Sequence, residues 1–270
     1  MDNQCILCGS TSNTHYVTVG RVSYSKCNDC GLIFQNPRVK DVIAENIIAS
    51  DSCSRHFEIK ENRATRKPYY LKYIRLIEKY LPPALQTKEK SILEIGCGAG
   101  GFLSAAKDAG WKVTGIEISE TLAKIANEKF GLNVLLGEIN SLNLKPESFD
   151  AAALNMVIEH LEFPLKTLET IHNLLRSNGV LLIHTPNYDN TTIKKSKNEK
   201  YYPPSHTFLF TPHTLKKSLE KAGYSVKATV TTGFKFPKSN IIIKPIEKIF
   251  ELSYWLQKKA MRLRIIAQKI

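Results

Sequence analysis

The sequence predicts an α/β protein: a doubly wound, mostly parallel, seven-stranded sheet with a small cysteine-bearing module at its N-terminus. Three observations carry that expectation. From about residue 90 onward, apolar strand-like runs alternate with helix-length segments, the pattern of βα units laid on a parallel sheet. Ile92 to Gly101 read Ile-Leu-Glu-Ile-Gly-Cys-Gly-Ala-Gly-Gly, an apolar strand that enters a glycine turn and opens a helix. Cys5, Cys8, Cys27 and Cys30 form two C-x2-C pairs, each followed by a glycine.

The cysteine module comes first, over residues 1–37. Eighteen residues separate the two knuckles, which is a four-cysteine zinc spacing. The segments from His15 and from Val22 alternate like hairpin arms between them, as in a zinc ribbon. Four thiolates leave zinc no position for water, so the ion expected here is structural. A redox role would want a thioredoxin-like context, which the sequence lacks. Of the two remaining cysteines, Cys97 lies in the glycine loop, where a small side chain packs; Cys53 has no such context.

Residues 38–88 form a charged helical cover or linker. Tyr70, Ile74, Ile77 and Leu81 recur at helical spacing, and Pro82-Pro83 stops that helix. Residues 89–270 then hold the main domain, with a polar loop at 188–212 and an insertion at 231–261. Strands are expected near 91–95, 112–117, 133–136, 149–155 and 179–185, and helices near 101–109, 119–130 and 164–176. Ser119 suits an N-cap and Gly131 a C-terminal stop. Thr211-Pro212 opens a further helix, Ala222 to Val230 reads as a sixth strand, and Leu263 to Lys269 as a seventh. Within the insertion, Pro245 begins a helix whose apolar stripe is Ile246, Ile249, Phe250 and Leu256. That stripe is expected to pack on the sheet; flanked by lysines, it also suits a peripheral membrane contact.

The glycine turn bears most directly on function. Twenty-one positions after Gly96 comes Glu117, at the tip of the next strand, where a carboxylate can accept hydrogen bonds from ribose hydroxyls. The chain is therefore expected to bind a nucleoside-bearing cofactor. Gly96-x-Gly98-x-x-Gly101 also satisfies the dinucleotide fingerprint. Glu94, two residues before the first glycine, favours an ammonium group over a pyrophosphate. Phe149-Asp150, Glu159-His160 and the run from Ser177 to Asn187 have no counterpart in the nicotinamide pattern.

Together these segments resemble class I S-adenosylmethionine-dependent methyltransferases, in the branch whose fourth strand is followed by a Glu-His pair; the resemblance covers about residues 63–230. It implies a Rossmann-like fold and S-adenosylmethionine as cofactor. By resemblance, Gly96, Gly98 and Gly100 line the methionyl and ribose portion, Glu94 orients the amino group and Glu117 takes the ribose hydroxyls. Glu138 faces the adenine, Asn155 lies beside the sulfonium, and Ile118 and Ile139 complete the cofactor set. Arg63, Arg66 and Tyr70 are placed to approach the methionyl carboxylate from the covering helix. Some relatives bind a divalent metal through Glu-x-x-Glu-His; here Met156 replaces the first glutamate, so that site is not expected.

For the chemistry, histidine is the usual base at neutral pH when a hydroxyl is methylated. His206, in a Pro-Pro-x-His setting, resembles the residue that sugar-modifying methyltransferases place over the acceptor. His206 and then His160 are the candidates, and His184 reads as a core histidine.

The net charge of +13 is carried entirely by residues 191–270, with 17 basic and 4 acidic side chains against 21 of each before them. That asymmetry suits an anionic acceptor, a membrane surface or simply a solvated lysine-rich face. The ribbon joined to a Glu-His core is similar to enzymes of saccharide pathways, which points to a small-molecule or cell-surface saccharide precursor. O-methylation is preferred to C-methylation because the chain lacks the C-terminal domain of sugar C-methyltransferases. A ribosomal-RNA methyltransferase with an N-terminal zinc module is the alternative, although nucleic acid is disfavoured by the lack of arginine-rich or base-stacking runs. A non-catalytic cofactor-binding interaction subunit is the other. With neither a signal-peptide layout nor an apolar run of membrane-spanning length, a cytoplasmic location is expected.

Overall fold

A computed structural model describes residues 4–38, 60–86, 89–196, 198–232 and 260–270. The proposed helix at 245–256 and Cys53 lie outside the described residues. The N-terminal hairpin pairs β1 (Asn13–Val19) with β2 (Val22–Cys27), and β3 (Ile33–Gln35) follows antiparallel. The long helix α1 (Lys60–Tyr80) comes next, then the short α2 (Pro83–Gln86). The core continues as β4 (Ser91–Ile95), α3 (Gly101–Asp108), β5 (Lys112–Glu117), α4 (Glu120–Lys124) and β6 (Val134–Leu136). It is completed by β7 (Phe149–Asn155), α5 (Pro164–Leu174), β8 (Leu175–Pro186), α6 (Thr191–Ser196), β9 (Phe208–Leu209), α7 (Pro212–Lys221), β10 (Tyr224–Thr232) and β11 (Arg262–Lys269).

The main sheet runs in the order β10-β11-β8-β7-β4-β5-β6. β4 through β8 are parallel to one another, while β11 is antiparallel to both its neighbours. This is the expected seven-stranded, mostly parallel sheet. Its central strands are apolar on both faces, as Ala151 to Leu154 and Val180 to Ile183 show, because helices cover both sides. On one face α1 and α3 bury Tyr73, Ile74, Ile77, Phe102 and Leu103. Each such fully buried side chain contributes about 1.5–3 kcal/mol through the area it removes from water. Asp150 is committed to the sheet: its carboxylate accepts from Ser91 N and Ser91 Oγ at 2.8 Å each, and pairs with Arg176 at 2.7 Å.

Several boundaries differ from the sequence reading for local reasons. β8 begins four residues before the expected strand start, because Leu175 pairs with Phe149 ahead of a register shift. The expected helix 119–130 keeps its Ser119 cap on Leu122 N but widens into a π-turn over Ile125–Lys129. That turn lets Asn127 bond both the backbone N–H and C=O of Val134 at 2.8 Å, which ties the helix to β6. The sixth strand starts at Tyr224 rather than Ala222, because Ala222 caps α7 and Gly223 adopts φ +88.

The N-terminal sheet is completed from far along the chain. β9 pairs with β3, Ile33 opposite Leu209 and Phe34 opposite Phe208. Leu32, Phe34 and Phe208 share one buried cluster with Leu168, Leu215 and Leu219 of the main domain. Lys221 also donates to Leu7 O at 2.6 Å. Among the described residues no helix is long and apolar enough to cross a membrane.

Candidate active site

A cavity of about 760 Å3 opens at the C-terminal ends of β4, β5, β7 and β8, where ligands of open α/β sheets bind. Its volume lies in the usual range of about 300–1,000 Å3 for small-molecule sites. The glycine loop forms its floor. Gly98 adopts φ +54, and a Cβ there would meet nothing within 4 Å, so its bare backbone borders open space. Gly96 also lines the cavity, and a side chain there would strike Val157 Cγ2 at 2.6 Å. Gly100 does not line it. That glycine is the left-handed N-cap of α3, and any Cβ would overlap Leu132, so close packing beneath the loop requires it.

Glu117 is held at the edge of this floor. Its carboxylate accepts from Gly98 N at 2.7 Å and from Ile118 N and Ser119 N at 3.0 Å each. Glu94, fully buried behind the loop, has one oxygen, Oε2, with no hydrogen-bond partner among the described residues. Burial, then the charge of Glu117, raises its pKa well above the ordinary carboxylate range, against a backbone N–H from Leu103. An unpartnered carboxylate oxygen on a cavity wall calls for a cationic group. The methionyl ammonium of S-adenosylmethionine fits that demand, and Glu117 fits its ribose.

Ile118, Glu138, Ile139 and Asn155 also line the cavity, as expected, and Arg66, Tyr69 and Tyr70 of α1 close it from above; the side chain of Arg63 lies outside the described residues. His184 is the buried, hydrogen-bonded histidine that the sequence suggests, and it also borders the cavity. Its Nδ1 lies 2.7 Å from Asn155 Oδ1, and its Nε2 has no partner among the described residues. Burial, with Arg262 and Arg264 nearby, lowers its pKa to about 3, so it stays neutral at ordinary pH.

The two candidate bases sit together. His160 lines the cavity; His206 does not and is buried behind it, the ring centroids 4.6 Å apart. His160 Nδ1 lies 2.9 Å from Ser205 O. A carbonyl only accepts, so Nδ1 carries the proton and Nε2 the lone pair. His206 is held by the loop that builds β9: Tyr24 Oη and Gln35 Nε2 both donate to its backbone carbonyl, at 3.0 and 3.2 Å. Burial, then His160, lowers its pKa well below the ordinary histidine value. Arg262, which sequence reasoning did not single out, also reaches the cavity, from the start of β11.

The four cysteines converge at the other end of the ribbon. Cys5 and Cys30 sulfurs are 3.4 Å apart, and Cys8 and Cys27 sulfurs 3.5 Å. A tetrahedral zinc at about 2.3 Å from each would set sulfurs roughly 3.8 Å apart. Burial opposes ionisation of Cys27, but backbone N–H groups of Cys30 and Asp29 and the neighbouring thiols outweigh it and bring it to about 7. The cluster is thus able to hold a thiophilic ion.

The cavity combines a nucleoside-sized floor, a cation-seeking carboxylate and a histidine on an adjoining wall. The profile of a family described as a methyltransferase domain matches residues 64–229. This chain belongs to that family. It is an S-adenosylmethionine-dependent methyltransferase. An uncharacterised protein of Methanocaldococcus jannaschii is 32% identical to this methyltransferase over 161 residues, 58% of this chain and 71% of the relative. A ubiquinone biosynthesis O-methyltransferase of Coxiella burnetii is 28% identical over 114 residues, 40% of this chain and 49% of the relative. This chain thus spans about half the length of that relative. Among solved structures, a SAM-dependent methyltransferase from Archaeoglobus fulgidus shares the fold, with a TM-score of 0.55 and 22% identity over 77% of this chain and 94% of that one.

Proposed function

We propose that this methyltransferase methylates a hydroxyl oxygen on a small, anionic acceptor, with a nucleotide-linked or lipid-linked saccharide precursor as the preferred class. The observation that carries this reading is His160, which lines the cavity beside the glycine-loop floor and whose Nδ1 is held by Ser205 O. S-adenosylmethionine supplies an activated methyl group, so the chain's own work is alignment and proton handling. His160 Nε2 acts at the acceptor hydroxyl, taking its proton or fixing its orientation. His206 supports that role from behind. Arg262 and Arg66 on the cavity wall supply positive charge for an acceptor phosphate or carboxylate. The Coxiella relative, named as an O-methyltransferase, favours oxygen as the methylated atom. A zinc ion on Cys5, Cys8, Cys27 and Cys30 plays a structural part.

The test is incubation with methyl-labelled S-adenosylmethionine and separated pools of nucleotide sugars, lipid-linked glycans, phenols and RNA. Alkali-stable label in a sugar-containing acceptor is expected. Label confined to RNA, or attached to nitrogen or carbon, would overturn the proposal.

A further inference from the structure

Three side chains at and behind the cavity wall converge in a way that methyl transfer alone does not require. One carboxylate oxygen of Glu159, one ring nitrogen of His160 and one of His206 all lie within 4.8 Å of one another. Each is oriented by a hydrogen bond to a further group.

Glu159 is fully buried; Thr185 Oγ1 donates to its Oε2 at 2.8 Å, and its Oε1 has no hydrogen-bond partner among the described residues. For His160, the Ser205 carbonyl fixes the proton on Nδ1, so Nε2 carries the lone pair, 3.9 Å from Glu159 Oε1. For His206, Nδ1 lies 2.5 Å from Tyr188 Oη, which is also 2.8 Å from Tyr201 O. The tyrosine hydroxyl has one proton, and the Tyr201 carbonyl can only accept it. His206 Nδ1 must then donate to Tyr188, which leaves the His206 lone pair on Nε2.

We propose that Glu159 Oε1, His160 Nε2 and His206 Nε2 form a binding site for a divalent transition-metal ion. Two neutral imidazoles and one carboxylate, each with its other polar atom hydrogen-bonded outward, are the donor set and outer support such ions take. A buried carboxylate oxygen without a partner is costly, and a cation there removes the cost. Donors around an ion at about 2.1 Å would stand roughly 3.0–3.4 Å apart, so the three atoms close inward by up to about an ångström on binding. Met156, lacking a hard donor, adds nothing; His206, from a loop 46 positions beyond His160, completes the set instead. Arg262 bears on the site with the opposite sign, since its charge would repel an ion. Its guanidinium is placed on Met156 Sδ at 2.9 Å, and Glu159 Oε1 receives no bond from it.

Three protein donors leave open positions on the ion. His160 is the one of the three that lines the cavity, so those positions reach acceptor space. An ion there would bind an acceptor oxygen and lower its pKa, with His160 as ligand instead of base. The site therefore suits an acceptor presenting a hydroxyl or a vicinal diol. That last step rests on the O-methylation reading; ion binding itself does not.

The test measures binding without turnover. Protein with its ribbon loaded with zinc is titrated with Mn2+, followed by loss of the free-ion electron paramagnetic resonance signal, and with Co2+, followed by its visible absorption. One ion per chain beyond the ribbon zinc is expected. Glu159→Gln and His206→Ala should each weaken binding at least a hundredfold, and Tyr188→Phe about tenfold, as loss of an outer hydrogen bond does. S-adenosylmethionine affinity, unchanged within about twofold, reports that each variant is folded; if either ligand variant fails that check, Thr185→Val and Tyr188→Phe carry the test. A wild-type protein that takes up neither ion, or takes them up equally in the variants, would overturn the site. O-methylation with no ion bound would leave the proposed function standing and remove this one.

Discussion

Replacing Glu94 by glutamine separates two quantities that the wild-type carboxylate ties together. In the free protein Glu94 is fully buried with Oε2 unpartnered among the described residues, and burial and Glu117 push its pKa well up. The raised folded pKa means that free-protein stability is greatest below the unfolded carboxyl value of about 4.3 and declines as pH rises toward the folded value. Glutamine, which cannot ionise, removes that decline. The bound cofactor reverses the balance, because an ammonium group beside the carboxylate favours the charged form. Affinity should therefore climb with pH up to the raised value, one proton being released on binding across that window, and level off above it. Losing a charge-assisted hydrogen bond costs about 1.5–3 kcal/mol, or roughly a 10- to 150-fold rise in Kd. Glu94→Gln should thus melt no lower than wild type at pH 8 while binding S-adenosylmethionine one to two orders of magnitude more weakly, with no proton release. Calorimetry in buffers of different ionisation enthalpy, together with thermal melts, measures both. A variant that binds as tightly as wild type with the same proton count would refute this account of Glu94.

Gly98→Val should abolish measurable cofactor binding in calorimetry, since the side chain enters open space at φ +54, while folding stability falls by only the strain of about 1–2 kcal/mol. His160→Ala should lower turnover by roughly a hundredfold or more with cofactor Kd unchanged; turnover equal to wild type would remove His160 from the chemistry. Cys27→Ser should cost the ribbon its zinc by metal analysis. It should also lower turnover through the His206 loop that Tyr24 and Gln35 hold, with cofactor affinity nearly intact. Phe34→Ala should destabilise the whole protein by about 3–5 kcal/mol, because Phe34 belongs to the common core; a melt confined to the ribbon would show that core to be divided.

What the sequence made legible is mostly local. The glycine loop and the two carboxylates bordering the cavity, Glu94 and Glu117, fall within one βα unit and its next strand, so their neighbourhood is readable. The cysteine knuckles are readable because metal geometry fixes their spacing. What the sequence left out is long-range. His184 sits in β8, which is buried on both faces, so alternation gives no sign of which side chain reaches the cavity. Nothing local to His206 reports that Tyr188 holds its ring in a buried place beside His160. Arg262 arrives on the last strand, and its nearness to Met156 depends on β11 pairing with β8 at Pro186. β9 is two residues long, too short for any pattern to announce.

That short strand has a consequence for the order in which the molecule is made. The first three strands of the N-terminal sheet leave the ribosome well before β9, whose Phe208 follows Gln35 by 173 positions. At about 5–20 residues per second, this is a wait of roughly 10–35 s. Through that interval the edge of β3 is unpaired and Phe34 lacks its core. Early capture of zinc by the four cysteines would hold the hairpin closed meanwhile, so metal supply during synthesis would influence yield as well as final stability.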